Sequence, residues 1–234
     1  MITLPSFPKF VGIAAVLTTT FVSMPKAQAA TIVLDFEGVG NVANVLDFYN
    51  GGTDSVGNTG INYGINFAND ALGIIDLDAG GSGNFGGEPS PDTVLFFLGG
   101  SAATLNVAAG FDTGFSFFYS AISNPGFINV YDGLNGTGNI LTTLSLPTTP
   151  NSGAPDPNGQ FSPFLPIGVS FSGIAKSVDF GGTANQIGFD NITLGATIPG
   201  GSTQVPEPFT IVGTLMGAAT AFRMKKRLKI TNKL

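Results

Sequence analysis

The chain has 234 residues, enough for one or two domains of average size. Hydrophobic residues make up 43% and charged residues only 10%, so there is enough apolar surface for a core. Histidine and cysteine are both absent, which excludes Ser-His-Asp and Cys-His nucleophile systems and the usual zinc, haem and iron–sulfur ligand sets. Carboxylate chemistry, calcium ligation by oxygen atoms and binding without catalysis remain open.

Residues 1–29 predict a secretory signal peptide. Lys9 supplies the positive charge, and the apolar run 10–22 follows it. Ala27 and Ala29 are small residues at the positions that a signal peptidase reads, which places cleavage after Ala29. The alternative is an ordinary apolar N-terminal helix, which Pro25 disfavours. We therefore expect the mature protein to be exported.

Residues 30–198 predict β-strands. Apolar and polar residues alternate with a period of two, the pattern of a strand with one buried face. The alternation is clearest in residues 61–67, 115–119, 140–146 and 167–171. Breaks rich in Gly, Asn and Pro separate these runs. No window between Thr31 and Ile198 has a helical pattern. The expected fold is an all-β domain, an antiparallel β-sandwich of ten or eleven strands, in the jelly-roll form.

A change of parity near the end of this domain predicts a β-bulge. Ile187 and Phe189 occupy odd positions, whereas Ile192 and Leu194 occupy even ones. Since side chains alternate between the two faces of a strand, one extra residue is needed to keep all four on the same side. The bulge is expected at Asp190–Asn191, where it would redirect both polar side chains.

Three carboxylates are candidate metal ligands. Asp35 and Glu37 are expected on one face of the first strand, and the first and last strands of a sandwich are often neighbours. Asp35, Glu37 and Asp190 would then converge, and three close carboxylates need a cation such as a structural calcium ion to remain ionised. The alternative is that these carboxylates are separately solvated, with Asp190 and Asn191 capping a turn.

Two short segments resemble a known class of module. Asp35–Glu37 in the first strand and Phe189–Ile192 in the last are similar to jelly-roll adhesion and carbohydrate-binding modules. That resemblance implies a structural calcium between the terminal strands. A flat face lined by tyrosine would favour carbohydrate binding, whereas a cleft with two carboxylates about 5–10 Å apart would favour a glycan hydrolase or lyase. The chain has no tryptophan, and its tyrosines are Tyr49, Tyr63, Tyr119 and Tyr131.

The C-terminus contains a second organised segment. Residues 199–205 are expected to form a linker. Pro206, Glu207 and Pro208 follow, and then the apolar stretch 209–222. As a helix this stretch would be about 21 Å long, short of the ~30 Å hydrocarbon core of a bilayer. The basic cluster behind it consists of Arg223, Lys225, Lys226, Arg227 and Lys229. These features predict a transient inner-membrane anchor with its positive end in the cytoplasm.

The order of these parts is similar to a PEP-CTERM protein-sorting signal. Pro-Glu-Pro, a short apolar helix and an Arg/Lys cluster occupy residues 206–234. The resemblance implies recognition by an exosortase, a membrane-embedded enzyme that cleaves near the Pro-Glu-Pro and releases or transfers the protein. The sorting signal indicates how the protein is routed and does not indicate the function of the domain that precedes it.

Removal of both ends leaves a strongly acidic domain. Between residues 30 and 205 there are 14 acidic residues and one basic residue, Lys176, a net charge of −13. Such a surface repels phosphate backbones, so nucleic acid is not an expected partner. The expected function is an exported, non-enzymatic protein of the cell surface or extracellular matrix, processed by signal peptidase and exosortase. The alternative is a carbohydrate-binding module for exopolysaccharide, stabilised by calcium.

Overall fold

The alternating segments form strands in the computed structural model of the protein, which describes residues 31–151 and 159–200. The strands of this part of the chain are β1 (Ile32–Leu34), β2 (Ala43–Asn44), β3 (Ile65–Phe67), β4 (Leu72–Ile75), β5 (Thr93–Phe96), β6 (Ala102–Phe111), β7 (Gly114–Ser120), β8 (Gly126–Tyr131), β9 (Ile140–Leu146), β10 (Leu165–Ser170), β11 (Ala175–Gly181) and β12 (Gly188–Leu194). These residues contain no α-helix, so the predicted all-β class is confirmed for them.

The strands form two antiparallel sheets. One sheet has seven strands in the order β10-β7-β12-β5-β4-β2, with β1 also paired to β12. The other has five strands in the order β3-β6-β11-β8-β9. Most neighbours within a sheet are distant in sequence, so the chain crosses repeatedly from one sheet to the other. The loops of these crossings gather at the ends of the strands.

Phenylalanine rings join the two sheets. Phe117 and Phe189 belong to the seven-stranded sheet, and Phe180 belongs to the five-stranded one; all three are fully buried. The ring centre of Phe180 lies 5.9 Å from that of Phe117 and 5.0 Å from that of Phe189, both edge to face. This geometry is favourable for aromatic pairs. The sheets therefore pack face to face as a β-sandwich around a core that contains both aromatic and aliphatic side chains.

Some predicted strand bounds hold and others are wrong for local reasons. β9 covers the predicted residues 140–146, and β7 covers 115–119. The predicted strand 61–67 is reduced to β3, because Gly64 has a φ of +71° and its N–H donates to Asn62 Oδ1 at 3.0 Å. This side chain-to-backbone turn interrupts the extended chain. Ile61 is accordingly 64% exposed.

The predicted bulge in β12 is confirmed. Asp190 lies opposite Phe118 of β7 and Thr193 lies opposite Ser116, so β12 has one more residue than its partner over this stretch. Asn191 has a φ of 47°, in the left-handed region that Asn tolerates better than most residues. The extra residue keeps Phe189 and Ile192 on the core side although they are three positions apart.

The first and last strands are neighbours, as predicted. β1 runs antiparallel to β12, with Ile32 opposite Leu194. The expectation that Asp35 and Glu37 continue this strand is wrong, because β1 ends at Leu34. Phe36 has a φ of 61°, and the chain turns there towards the core. Its N–H donates to Tyr49 Oη at 2.7 Å.

Several predicted segments lie outside the described residues. They are the signal peptide 1–29 with Ala27 and Ala29, linker residues 201–205, and the sorting segment 206–234 with its Pro-Glu-Pro and basic cluster. In the part of the chain that is described, no helix is long and apolar enough to cross a membrane.

Candidate functional site

Asp190 is a buried carboxylate at the bulge of β12. Its side chain is 0% exposed. Ser90 donates to it twice, from N–H to Oδ2 at 2.8 Å and from Oγ–H to Oδ1 at 2.7 Å. The N–H of Asn191 also donates to Oδ1, at 2.6 Å. Asp190 thus holds the β4–β5 loop against the last strand.

Burial raises the pKa of Asp190 to about 6 from its ordinary value of 3.8. The hydrogen bonds from Ser90 and Asn191 favour the ionised form and offset part of this rise, whereas the negative charge of Glu37 adds to it. The site can also accommodate Asp190 in its protonated form. Ser90 Oγ lies 3.1 Å from the carbonyl oxygen of Asp35, so the Ser90 hydroxyl has a second acceptor when Asp190 holds a proton.

Glu37 and Asp35 contact the same loop by different atoms. Glu37 Oε1 accepts the N–H groups of Asp92 and Thr93 at 3.0 and 2.9 Å. Asp35 contacts Ser90 through its backbone carbonyl, while its exposed carboxylate accepts the N–H of Glu37 at 3.3 Å. The three predicted residues are therefore brought to one loop, where their hydrogen bonds fix the chain after β1 to the chain before β5.

The geometry gives no support to calcium ligation by these residues. Among residues 31–151 and 159–200, no group of three or more acidic side chains is placed to hold a metal ion. Oxygens of Asp190 and Glu37 already accept backbone N–H groups. The calcium site on Asp35, Glu37 and Asp190 therefore stays a prediction, and hydrogen bonding is the role that the structure describes.

A second site is a polar cleft where loops meet at one end of the sandwich. Its volume is about 330 Å³, at the small end of the range for ligand pockets. Five carboxamide side chains and one aromatic ring contribute to its lining: Asn84, Asn151, Gln160, Asn185, Gln186 and Phe161. None of the described lining residues is charged.

One side of this cleft is built by pairing between two distant loops. Phe85 and Phe161 form an isolated parallel bridge. The N–H of Phe161 donates to Asn84 O at 3.0 Å, and the N–H of Gly86 donates to Phe161 O at 3.3 Å. This pairing places the side chains of Asn84 and Gln160 within 3.5 Å of each other. The segment 80–87 is therefore held in place by another loop.

The opposite side comes from the turn between β11 and β12. Asn185 has a φ of 59°, which Asn tolerates, and its N–H donates to Phe97 O at 2.8 Å. The Gln186 side chain accepts a hydrogen bond from Asn124 Nδ2 at 3.1 Å. The backbone of this turn is thus attached to the chain after β5, and the carboxamide of Gln186 is oriented by the β7–β8 loop.

A small apolar pocket adjoins the polar cleft. Its volume is about 30 Å³, and Asn84, Phe161 and Asn185 line both spaces. The remaining walls are mainly apolar, from Ile74, Phe85, Val94, Phe96 and Ile187. A water-sized group needs about 10–15 Å³ by this measure, so the pocket admits a substituent about as large as a methyl or acetyl group.

The described lining of the cleft offers hydrogen bonding and contains no acidic or basic side chain. Carboxamides donate and accept hydrogen bonds but do not titrate near neutral pH. Glycoside hydrolysis needs two carboxylic groups on opposite sides of the substrate, and the described lining of the cleft contains none. Tyr49 and Tyr119 are buried in the core, so the tyrosines do not form one flat binding face. The aromatic ring at the cleft is Phe161.

Comparisons with known proteins do not place the chain in a family. No protein-family model matches it, and no curated protein matches it significantly. Among solved structures it is similar to the K3 cleaved adhesin domain of Lys-gingipain from Porphyromonas gingivalis. The two are 13% identical with a TM-score of 0.30, over 71% of this chain and 99% of that domain. A similarity this low assigns neither a family nor a function.

Proposed function

We propose that the protein is an exported, non-enzymatic component of the cell surface or extracellular matrix, whose β-sandwich binds another molecule without transforming it. The observation that carries the binding function is the cleft of about 330 Å³ lined by five carboxamides. Such side chains fix a ligand by hydrogen bonds and supply no nucleophile or general acid.

The strand order supports the finer jelly-roll class for this body. The sequence β1-β12-β7-β10 in one sheet and β6-β11-β8-β9 in the other follows from the observed pairings. These two sets of four neighbouring strands lie within the seven-stranded and five-stranded sheets. Their order, with successive strands passing between the two sheets, is typical of jelly rolls. Jelly rolls occur in many binding modules, but the fold by itself does not imply a ligand.

The routing part of the proposal is supported by the sequence alone. A signal peptide at residues 1–29 and the sorting segment 206–234 would direct the chain through the inner membrane to an exosortase. Since the apolar stretch is too short for a comfortable span, the anchor would be transient. The mature acidic domain would then be released or transferred to the outer surface.

Intact-mass analysis of protein recovered from cells and medium tests this routing. Glu207→Ala, or deletion of residues 223–229, should leave unprocessed protein in the membrane fraction. Thr203→Ala is the matched control, since it lies just outside the Pro-Glu-Pro and should be processed normally. An intact tail in the wild-type protein, or the same removal of the tail and the same localisation in all variants, would contradict processing that depends on this segment.

A carbohydrate-binding module for exopolysaccharide is the specific form of this function that the cleft favours. Sugar hydroxyls both donate and accept hydrogen bonds, as the carboxamides of Asn84, Gln160 and Asn185 do. Retention of the protein on polysaccharides of different composition tests this form. Loss of retention in a cleft variant, with an unchanged melting temperature, is the expected result.

A further inference from the structure

We propose that the cleft and its adjoining pocket bind a neutral N-acetylated sugar residue, with the ring hydroxyls in the cleft and the acetyl methyl group in the apolar pocket. This inference rests on the proposed binding function and names the ligand class of the same site. Three features of the site carry it: the hydrogen-bonding capacity of the cleft, the charge around it, and the size and lining of the pocket.

The cleft has hydrogen-bonding capacity to spare. Each carboxamide has two N–H donors and an oxygen with two lone pairs. The bond from Asn84 Nδ2 to Gln160 Oε1, at 3.5 Å, uses one donor and one lone pair. Other donors and acceptors of these two groups are within reach of a ligand, because Asn84 and Gln160 are exposed. Vicinal hydroxyls of a sugar ring match such paired groups.

The charge of the domain selects against acidic sugars. The stretch between residues 30 and 205 has a net charge of −13, and the described residues that line the cleft include no cation to pair with a carboxylate or sulfate. An anionic ligand would be repelled on approach and would lose hydration on binding without compensation. The ligand that fits is uncharged.

The apolar pocket selects the substituent. Val94 and Phe85 are almost fully buried, and the pocket they help to line has room for about two water-sized groups. An acetyl methyl group of a sugar has this size and is apolar. Asn84 and Asn185 stand where the pocket meets the cleft, since both line the two spaces. The amide of an acetamido group whose methyl enters the pocket would therefore lie between two carboxamides.

Titration calorimetry of the full chain with N,N′-diacetylchitobiose and with cellobiose tests this inference. The two disaccharides differ only at the acetamido groups. We expect diacetylchitobiose to bind about tenfold more tightly or better, because a filled apolar pocket and paired amides each discriminate by about this factor. Equal affinity, or tighter binding of cellobiose, would overturn the acetyl assignment while leaving the binding function intact. Failure to bind either disaccharide, together with no retention on any polysaccharide, would overturn both.

Three variants locate the site. Asn185→Asp keeps the size of the side chain and the tolerance for positive φ but removes the N–H donors, and it should weaken diacetylchitobiose binding about tenfold. Val94→Ile adds a methyl group at the pocket wall and should reduce the preference for diacetylchitobiose over cellobiose. Asn50→Ala, at an exposed asparagine outside the cleft, is the control and should bind normally. Unchanged binding by folded Asn185→Asp and Val94→Ile, checked by melting temperature, would place the ligand elsewhere and overturn the proposal.

Discussion

The buried carboxylate of Asp190 should make the stability of the protein depend on pH in an unusual direction. Its folded-state pKa of about 6 lies above the ordinary value of 3.8, so the folded protein binds this proton more tightly than the unfolded chain does. The contribution of Asp190 to the free energy of unfolding is therefore greatest below pH 3.8 and is lost as the pH rises through about 6.

The size of the effect follows from the two pKa values. A difference of this size corresponds to about 3 kcal/mol over the full range, and to about 2 kcal/mol between about pH 7 and about pH 4.5. The lower end of this pH interval lies above the range in which Asp54 takes up its proton. The pKa of Asp54 is lowered because hydrogen bonds from Gly40, Asn58 and Val56 together outweigh the opposing effect of burial. Asp54 therefore acts with the opposite sign, and only below its ordinary value of 3.8.

Urea unfolding at a series of pH values measures this dependence. The wild-type free energy of unfolding should rise by about 2 kcal/mol on acidification across the window, with an unchanged slope against urea. General loss of negative charge also favours the folded acidic domain on acidification, so variants are needed to isolate Asp190. Asp190→Asn should be less stable at neutral pH, because Ser90 N–H loses its acceptor, and should lack most of the rise. Asp78→Asn, at an exposed aspartate, removes the same charge elsewhere and should keep the rise.

The reasoning would be refuted by either of two results. One is a free energy of unfolding that falls as wild-type protein is acidified from about pH 7 to about pH 4.5. The other is the same pH dependence in Asp190→Asn as in the wild type, since that would show that another group binds the proton.

Three further predictions concern the hydrogen-bonded carboxylates of Asp190, Asp54 and Glu37. Ser90→Ala removes the 2.7 Å hydrogen bond to buried Asp190 and should lower the free energy of unfolding by about 1.5–3 kcal/mol in urea titrations. The control Ser145→Ala, at an exposed site, should change it by less than about 0.5 kcal/mol. Equal effects of the two substitutions would contradict the role of Ser90. Asp54→Ala leaves the N–H groups of Gly40 and other loop residues without their acceptor. The free energy of unfolding should fall by about 3 kcal/mol in the same assay. A fall of less than about 0.5 kcal/mol would be inconsistent with the observed hydrogen bonds. The predicted calcium site is tested by melting temperatures in calcium and sodium chloride at matched ionic strength. If the site binds calcium, calcium should raise the melting temperature more than sodium does, and Asp190→Asn should abolish the difference. Equal shifts would contradict the calcium site and leave hydrogen bonding as the role of Asp190 and Glu37.

Period-two patterns located β7, β9 and β10 and the last strand β12. The bulge of β12 follows from parity alone, because burial of Phe189 and Ile192 on one side requires an extra residue between them. The end of β1 was not predictable in this way. Phe36 has an apolar side chain at the expected parity, and its positive φ depends on contact with Tyr49, which lies 13 positions away.

The candidate binding cleft could not be predicted from the sequence. Its carboxamides belong to loops that are far apart in the chain, such as Asn84 and Gln160, which are separated by 76 positions. Each looks locally like an ordinary turn residue. The contact that brings Asn84 and Gln160 together is the backbone bridge between Phe85 and Phe161. Such pairing between loops produces no periodic pattern in the sequence. Sequence patterns thus placed several of the strands but not the loops that the strands bring together.

The central claim, that the domain binds a neutral N-acetylated polymer without cleaving it, is tested most directly by incubating the full chain with insoluble chitin. Retained protein and released reducing ends would be measured in the same sample. The account predicts that wild-type protein is retained, that Asn185→Asp is retained much less, and that no reducing ends appear above the protein-free control. Reducing ends that accumulate in proportion to the amount of protein, or wild-type protein that remains wholly in solution, would contradict it.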